Sequence, residues 1–442
     1  MLKSKIFRAT TIIGGFSLVA ALVALLRDWI LASHFGASRM LDIYYSAFKL
    51  PDLVFNIILL GSLSSAFIPV FIGKRQESEK GAWLAARNFT TVMFTMVIIA
   101  AAVLFVFAGQ VVRLIAPGFA GADRELAITL TRIMFLSPVI FSLSAISGSV
   151  LQALERFWAF SIAPVFYNVG IIIGAVYFAP LAARHGYAPV IGLGWGVVLG
   201  ALFHLLLQGT AAYRAGFRFK PYWDLASAEF RKILKLMVPR TIGLSAYSVD
   251  SAITNAYASL MAAGSITVFN VANNMQFVPI SMVGIAVATA VFPKLSQHAS
   301  ASEHNEFRER LSSTLRNMAL VIVPLCVIGY FLAPWAIRLI YGIGLFRGAA
   351  VEMTIAVLQI FLFGVPAQSF IPILSRAFYA LHNTRTPVII SVTAIAINIL
   401  LGWYLGLHLG WGVKGLAAGF AVAGNVQWLS LWSSLQKTQK MI

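Results

Sequence analysis

The feature that most constrains this chain is a series of apolar runs of about twenty residues, each long enough as a helix to cross a hydrocarbon core about 30 Å thick. Twelve are expected, near 10–34, 43–72, 86–115, 127–152, 158–182, 188–212, 235–262, 266–294, 314–341, 350–379, 386–408 and 411–435. In lipid every backbone N–H and C=O must be satisfied within the protein, which selects helices for runs of this length. With 60% hydrophobic and only 11% charged residues, the sequence excludes a soluble or secreted protein. The net charge of +18 does not indicate a nucleic-acid partner, because the basic residues alternate with spans instead of gathering on one polar domain. Lys3, Lys5 and Arg8 begin like a signal-peptide n-region, but the apolar stretch continues past Arg27 without a small-residue cleavage site and reads as a retained first span. The single cysteine, Cys326, excludes an intramolecular disulfide and reads as a small core residue.

Orientation follows from the distribution of Lys and Arg over alternate loops. One side collects 22 of them and the other 7, so both termini are expected in the cytoplasm; Arg27, Lys49, Arg132 and Arg240 are set aside as lying at or near membrane depth. The chain also repeats itself. Ala66-Phe67-Ile68-Pro69 returns as Ala290-Val291-Phe292-Pro293, 224 residues later; Leu151-Gln152-Ala153-Leu154 returns as Phe378-Tyr379-Ala380-Leu381 after 227; Ala32-Ser33 returns as Ala258-Ser259 after 226. The expectation is an all-α polytopic membrane protein of about twelve transmembrane helices in two six-helix bundles, related by a pseudo-two-fold along the membrane normal. The bundles would be 1–213 and 230–442, with the polar stretch 214–229, containing Pro221, as a cytoplasmic linker. Two such bundles around a midplane cavity, rocking to give alternating access, is a transporter architecture.

A charge at mid-bilayer costs roughly 2.5–3.5 kcal/mol on insertion scales, so each ionisable residue inside a span is either functional or paired. Arg27 and Asp28 lie deep in the first span; adjacent side chains diverge by about 100°, so a mutual ion pair is not expected and Arg27 is read as a ligand contact or an interhelix partner. Lys49 either faces a ligand or snorkels to the interface. Asp42 reads as fixing a neighbouring helix, and Asp52 as capping a helix broken at Pro51. Arg240 follows Pro239, where a helix can open toward a cavity, and its planar fork could clamp a phosphate; the alternative is snorkelling to headgroups. Asp250, deeper in the same span, could pair with a cation or titrate. Asn270, Asn273, Asn274 and Gln276 crowd two turns of the eighth span, more amides than packing between helices needs. Arg132 and Glu352 read as interfacial.

No soluble-enzyme pattern is present. The seven histidines have no metal-ligand spacing, and neither a phosphate loop nor a dinucleotide glycine fingerprint occurs, so no catalytic residue, metal or cofactor is expected. The sequence leaves open whether a coupling ion or the membrane potential would drive transport.

Several strings carry a family likeness. Asp42-Ile43-Tyr44-Tyr45-Ser46-Ala47-Phe48-Lys49-Leu50-Pro51, with Gly61 and Ser65-Ala66-Phe67-Ile68-Pro69, resembles the second-helix signature of the MurJ/MviN lipid II flippases, and Arg27-Asp28 with His34-Phe35-Gly36-Ala37 is similar to their first helix. Ala258-Ser259, Gly264-Ser265-Ile266, Ala272, Pro279 and Phe292-Pro293 resemble the seventh and eighth helices, and Phe378-Tyr379-Ala380 with Thr384-Arg385-Thr386-Pro387 the tenth-to-eleventh connection. The resemblance covers nearly the whole chain in order. It implies membership of a superfamily of two-bundle exporters and a flippase that moves an undecaprenyl-diphosphate-linked peptidoglycan precursor across the bacterial cytoplasmic membrane. Membrane lipids and peptidoglycan-synthesis proteins would be its other partners.

The departures from the family pattern concern charge. Phe55-Asn56 stands where the family usually has an arginine pair, Leu60 where it has an acidic residue, and Asn273-Asn274 where it has Asp-Arg; Arg240 stands where a small residue is usual. Family members commonly have fourteen helices against the twelve expected here. On this reading Arg240 supplies relocated headgroup charge, with Arg27 and Lys49 across the cavity and Asn56, Asn273, Asn274 and Gln276 donating neutral hydrogen bonds. Asp28, Asp42 and Asp250 are structural or coupling residues. The competing functions are a flippase for another polyprenyl-linked oligosaccharide or a cation-coupled exporter, and a non-transporting scaffold for envelope synthesis. A positively lined cavity would favour a diphosphate ligand and a carboxylate-lined one an organic cation.

Overall fold

The computed structural model describes residues 2–56, 66–301 and 303–441, and the side chains among them except 2–14, 236, 238–246 and 438–441. Among the described residues there is no strand. Among the same residues eight helices are long and apolar enough to cross a membrane, and nine if the pair Ala349–Leu362 and Val365–Ala380, bent by 44°, is counted as one broken span. The chain is a multi-pass membrane protein. Of the twelve expected spans, 43–72 includes residues outside the described set, and 235–262 contains side chains outside it. The 411–435 stretch is helical but carries Lys414, Asn425 and Gln427, and is not among the eight.

Contacts divide the chain into two compact units, residues 1–35 with 39–249 and residues 36–38 with 250–442. The first contains α1 (Leu2–Phe35), α2 (Arg39–Phe55), α3 (Ile68–Glu77), α4 (Glu79–Val106), α5 (Ala108–Ile115), α6 (Gly121–Met134), α7 (Leu136–Ala153), α8 (Phe157–Ile173), α9 (Ala179–Arg184) and α10 (Val190–Arg214). Then α11 (Ala228–Ser259) runs on into the second unit. There follow α12 (Ser265–Pro279), α13 (Ala286–Ser300), α14 (His304–Tyr341), α15 (Ala349–Leu362), α16 (Val365–Ala380), α17 (Arg385–Leu401) and α18 (Val413–Met441).

The first unit is held by α8 and α10, which also packs on α7. Glycines let those backbones meet: a Cβ added to Gly174 would lie 2.6 Å from Gly196 Cα. Without side chains at that crossing, dispersion between backbones replaces the missing hydrophobic drive inside a bilayer. α3 and α4 are joined by an aromatic cluster, Phe67 stacked on Phe89 at 5.2 Å and on Phe71 at 5.5 Å between ring centres, with Phe71 edge-on to Trp83 at 5.4 Å.

The second unit repeats the device. A Cβ on Gly415 of α18 would lie 2.6 Å from Gly406 Cα, in a π-helical stretch, Gly402–His408, that continues α17. Its counterpart in the first unit is the π-helical stretch Gly174–Phe178 after α8. The two begin 228 residues apart, close to the displacement of the sequence repeat. Leu295, Ile322, Ile373, Phe378 and Leu431 form the centre of the second unit's core. Outward-facing Leu320, Phe331, Trp335 and Leu339 of α14 are 70–78% exposed, an apolar surface of the kind a membrane-spanning helix turns to lipid.

The 214–229 stretch belongs to the first unit as a strap across α3 and α4. Arg87 Nε donates to the Arg218 carbonyl at 3.0 Å, and Tyr222 N–H to Thr91 Oγ1 at 3.1 Å. Asn88 exchanges two bonds with the Asp224 backbone, at 2.6 and 2.8 Å, and Lys74 pairs with Glu229 at 2.9 Å.

Candidate functional site

Inside the first unit, Arg27 on α1 donates from Nε and Nη2 to Asp28 Oδ1, at 2.9 and 2.6 Å, and from Nη1 to Asn168 Oδ1 on α8 at 2.8 Å. The expectation that neighbours on a helix could not pair is therefore wrong. The 100° divergence holds for Cβ directions, but the arginine stem is long enough to curl its guanidinium back onto the adjacent carboxylate. Asp28 is only 3% exposed, so the pair removes a charge that could not stand alone there. Asn168 also donates to the Pro164 carbonyl at 2.9 Å, one turn back on its own helix. Tyr44, buried on α2, lies within electrostatic range of both Arg27 and Asp28.

Beside this cluster α2, α7, α8 and α10 enclose a cavity of about 220 Å³, lined by Phe48, Pro51, Asp52, Phe55, Ser137, Pro138, Phe141, Pro164, Tyr167 and His204. α2 continues as a helix through Pro51 to Phe55, so Asp52 does not cap a broken end; it sits in the cavity wall, accessible and accepting from Asn56 Nδ2 at 3.0 Å. Tyr167 stands within electrostatic range of Asp52, Tyr44 and Arg27 and links the cavity to the arginine cluster. His204 Nδ1 is 2.7 Å from Ser144 Oγ, which also reaches Gln208 Oε1 at 3.3 Å. Gly148 leaves room for that amide, since a Cβ there would sit 2.6 Å from Gln208 Oε1.

The remaining expected residues fall in two places. On α2, Asp42 is fully buried and Lys49 half-buried; both are engaged, and Lys49 lies in Coulombic range of Asp52. In the second unit, Asp250 is 7% exposed and accepts from Asn398 Nδ2 at 2.8 Å. On α12, Gln276 Nε2 donates to Asn273 Oδ1 at 3.0 Å, leaving Gln276 Oε1 buried without a hydrogen-bond partner among the described residues. Asn274 is half-buried and engaged. Asn270 donates to the Ile266 carbonyl at 2.8 Å, an ordinary helix-internal use of an amide. Arg240 lies in α11, and its side chain falls outside the described residues. Arg376 lies within α16 with its guanidinium over Phe292, 6.0 Å from the ring centre. Among the described residues no group of three or more His, Cys, Asp or Glu could hold a metal ion.

Sequence reasoning missed Asn168, Asn398, Tyr167 and the Ser144–His204–Gln208 network. Each is a polar residue inside an otherwise apolar run, and that setting was the available signal.

The family model described as lipid II flippase MurJ matches residues 31–442. The chain belongs to this family. A probable lipid II flippase MurJ of Buchnera aphidicola from Acyrthosiphon pisum is 29% identical over 419 residues, covering 94% of this chain and 81% of the relative. The lipid II flippase MurJ of Burkholderia cenocepacia is 28% identical over 440 residues, covering 98% and 84%. Among solved structures, a lipid II flippase MurJ in an inward closed conformation superposes with a TM-score of 0.82 at 24% identity, over 96% of this chain and 87% of that one. An inward-facing multidrug-resistance MATE transporter of the MOP superfamily superposes at 0.77 and 16% identity, over 98% and 99%. These two likenesses establish the fold: the MurJ and MATE architecture, at identities too low to carry substrate.

Proposed function

We propose that this MurJ-family chain is a flippase that carries lipid II, an undecaprenyl-diphosphate-linked peptidoglycan precursor, from the cytoplasmic to the periplasmic leaflet. The observation that carries the reading is the family match over residues 31–442, supported by relatives named as lipid II flippases that align over more than nine-tenths of this chain. The protein would be a transporter and not an enzyme. It would reside in the bacterial cytoplasmic membrane with both termini inside, among membrane lipids and peptidoglycan-synthesis proteins. Bundles 1–213 and 230–442, joined by the 214–229 stretch, would rock against each other to give alternating access.

Arg27, Lys49 and Arg240 would meet the diphosphate, and Asn56, Asn273, Asn274 and Gln276 would complete its hydrogen bonds. Two features bear on how. Arg27 shares its guanidinium with Asp28 and Asn168, so phosphate would have to compete with a carboxylate already in place. Gln276 presents an acceptor, not a donor, at its unpartnered end. If the Asn273 and Gln276 amides both turn over, their mutual bond is kept and Gln276 Nε2 becomes free to donate to phosphate. Asp28, Asp42 and Asp250 would serve structure or coupling.

The function is tested by depleting the resident flippase in cells that express this chain and labelling lipid II at the outer leaflet. Restored labelling and growth are expected; a correctly inserted protein that leaves precursor inside would contradict the reading. The role of Arg240 is tested by precursor binding. One charge-assisted hydrogen bond is worth about 1.5–3 kcal/mol, so Arg240→Ala should weaken binding about tenfold or more. Arg308→Ala, at an exposed position on α14, should leave it unchanged. Equal affinities for the two variants would return Arg240 to the lipid interface.

A further inference from the structure

We propose that the cavity among α2, α7, α8 and α10 is an ammonium-binding subsite, with Asp52 as the counter-charge and Phe48, Phe55, Phe141 and Tyr167 as its aromatic walls. The faces of aromatic rings are electronegative and attract cations, and a carboxylate beside them fixes the sign of the ligand. Three of the rings form one continuous wall: Phe55 and Phe141 are 5.2 Å apart between centroids, and Phe141 and Tyr167 5.0 Å. Pro51, Pro138 and Pro164 add apolar surface. Among the described residues no Lys or Arg lines the cavity, and the other polar groups are Ser137 and His204. His204 has Nδ1 committed to Ser144, and its ring stands 5.0 Å from Phe141.

Asp52 keeps acceptor capacity for such a ligand. An ionised carboxylate offers about four lone-pair sites, and Asn56 takes one. Lys49, one turn earlier on α2, lies in Coulombic range of the carboxylate and competes for it, which favours ligands that also gain from the aromatic walls. At about 220 Å³ the space is below the roughly 300–1,000 Å³ of sites for drug-sized molecules. It therefore fits one ammonium-bearing group and not a whole multidrug substrate. The ammonium could belong to a small free organic cation or to the peptide portion of a glycopeptide headgroup; only the second source rests on the flippase reading.

The probe is benzyltrimethylammonium, titrated into the purified full chain in detergent, with benzyl alcohol as the uncharged comparison. The parent protein should bind the cation saturably and about tenfold or more tighter than the alcohol, and Asp52→Asn should erase that preference. Asp52→Glu should retain it, and Phe141→Leu should reduce it by about threefold. Equal binding of cation and alcohol by the parent protein overturns the subsite without any variant, as does an Asp52→Asn protein that binds the cation like the parent. The source follows from precursor whose peptide ammonium has been acetylated. If acetylation weakens binding to the parent but not to Asp52→Asn, the headgroup supplies the ammonium. If both precursors bind alike while the probe still depends on Asp52, the ligand is a free cation. A chain that binds the probe through Asp52 but neither precursor retains the subsite and loses the lipid II reading.

Discussion

The two units hold an ionisable residue in the same way and with opposite sign. In the first, Asn168 on α8 accepts from Arg27 on α1; in the second, Asn398 on α17 donates to Asp250 on α11. Arg27 and Asp250 are 223 residues apart and the two asparagines 230, near the spacing of the sequence repeat. An amide has both a donor and an acceptor end, so the same bracket serves a cation or an anion by turning over. The difference lies in compensation. Asp28 neutralises Arg27 within the cluster, whereas the bond drawn to Asp250 comes from a neutral amide. A repeated scaffold can thus keep its helix-to-helix bridge while the electrostatics of its halves diverge.

The largest effect expected is at the compensated pair. Arg27→Met strands the Asp28 carboxylate and should cost about 3 kcal/mol or more, read as a lowered unfolding midpoint in detergent; adding Asp28→Leu should recover most of it. If the double variant is no more stable than the single one, the pair is not what holds this part of the first unit.

Next come the amides. Asn398→Asp places a second carboxylate against Asp250 and should destabilise by about 2 kcal/mol at neutral pH, with recovery as the pH is lowered and one of the two carboxyls takes a proton. Asn168→Asp adds an acceptor beside Arg27 and should change stability by less than about 1 kcal/mol. Equal responses would break the comparison.

Backbone crossings should respond alike in the two units. Gly196→Ala and Gly415→Ala would each place a Cβ 2.6 Å from the Cα of the facing glycine, Gly174 or Gly406, forcing the backbones apart, and should cost about 1–3 kcal/mol. A neutral outcome in one unit alone would show that its helices are free to separate.

The smallest effect belongs to the strap. Glu229 is held below the usual carboxylate range by its bond to Lys74, and Lys74 is held above its ordinary value by Glu229 and Glu77. The contribution from Glu229 is present above the ordinary carboxylate range and fades as pH falls through its lowered value. The contribution from Lys74 is present below the ordinary lysine value and fades as pH rises through its raised one. Protease sensitivity of the 214–229 segment should therefore be least between those limits and should increase with salt.

Much of the architecture was legible because a bilayer allows few solutions: long apolar runs must be helices, and their repetition at one displacement announces two similar halves. The pairing of charges was not. Arg27 and Asp28 defeated a rule about helix directions that ignores side-chain length, and Asn168 and Asn398 look in the sequence like any amide in an apolar run. The acidic cavity was obscured for a related reason. Asp52 lies next to a proline, and local chemistry suggested a cap, whereas two of the four rings that surround it, Phe141 and Tyr167, come from α7 and α8, about 90 and 115 residues further along the chain. Only folding brings those residues into contact.

The central claim, that this chain moves a lipid-linked precursor by itself, is tested most directly by reconstitution. Purified protein would be placed in vesicles containing lipid II with a fluorescent peptide label, and the fraction open to a membrane-impermeant quencher followed in time. The account predicts that quenching proceeds past the outer-leaflet fraction at a rate that rises with protein density and falls with Arg27→Met/Asp28→Leu. Quenching that stops at the outer leaflet, as in protein-free vesicles, while the protein remains folded and inserted, would contradict it.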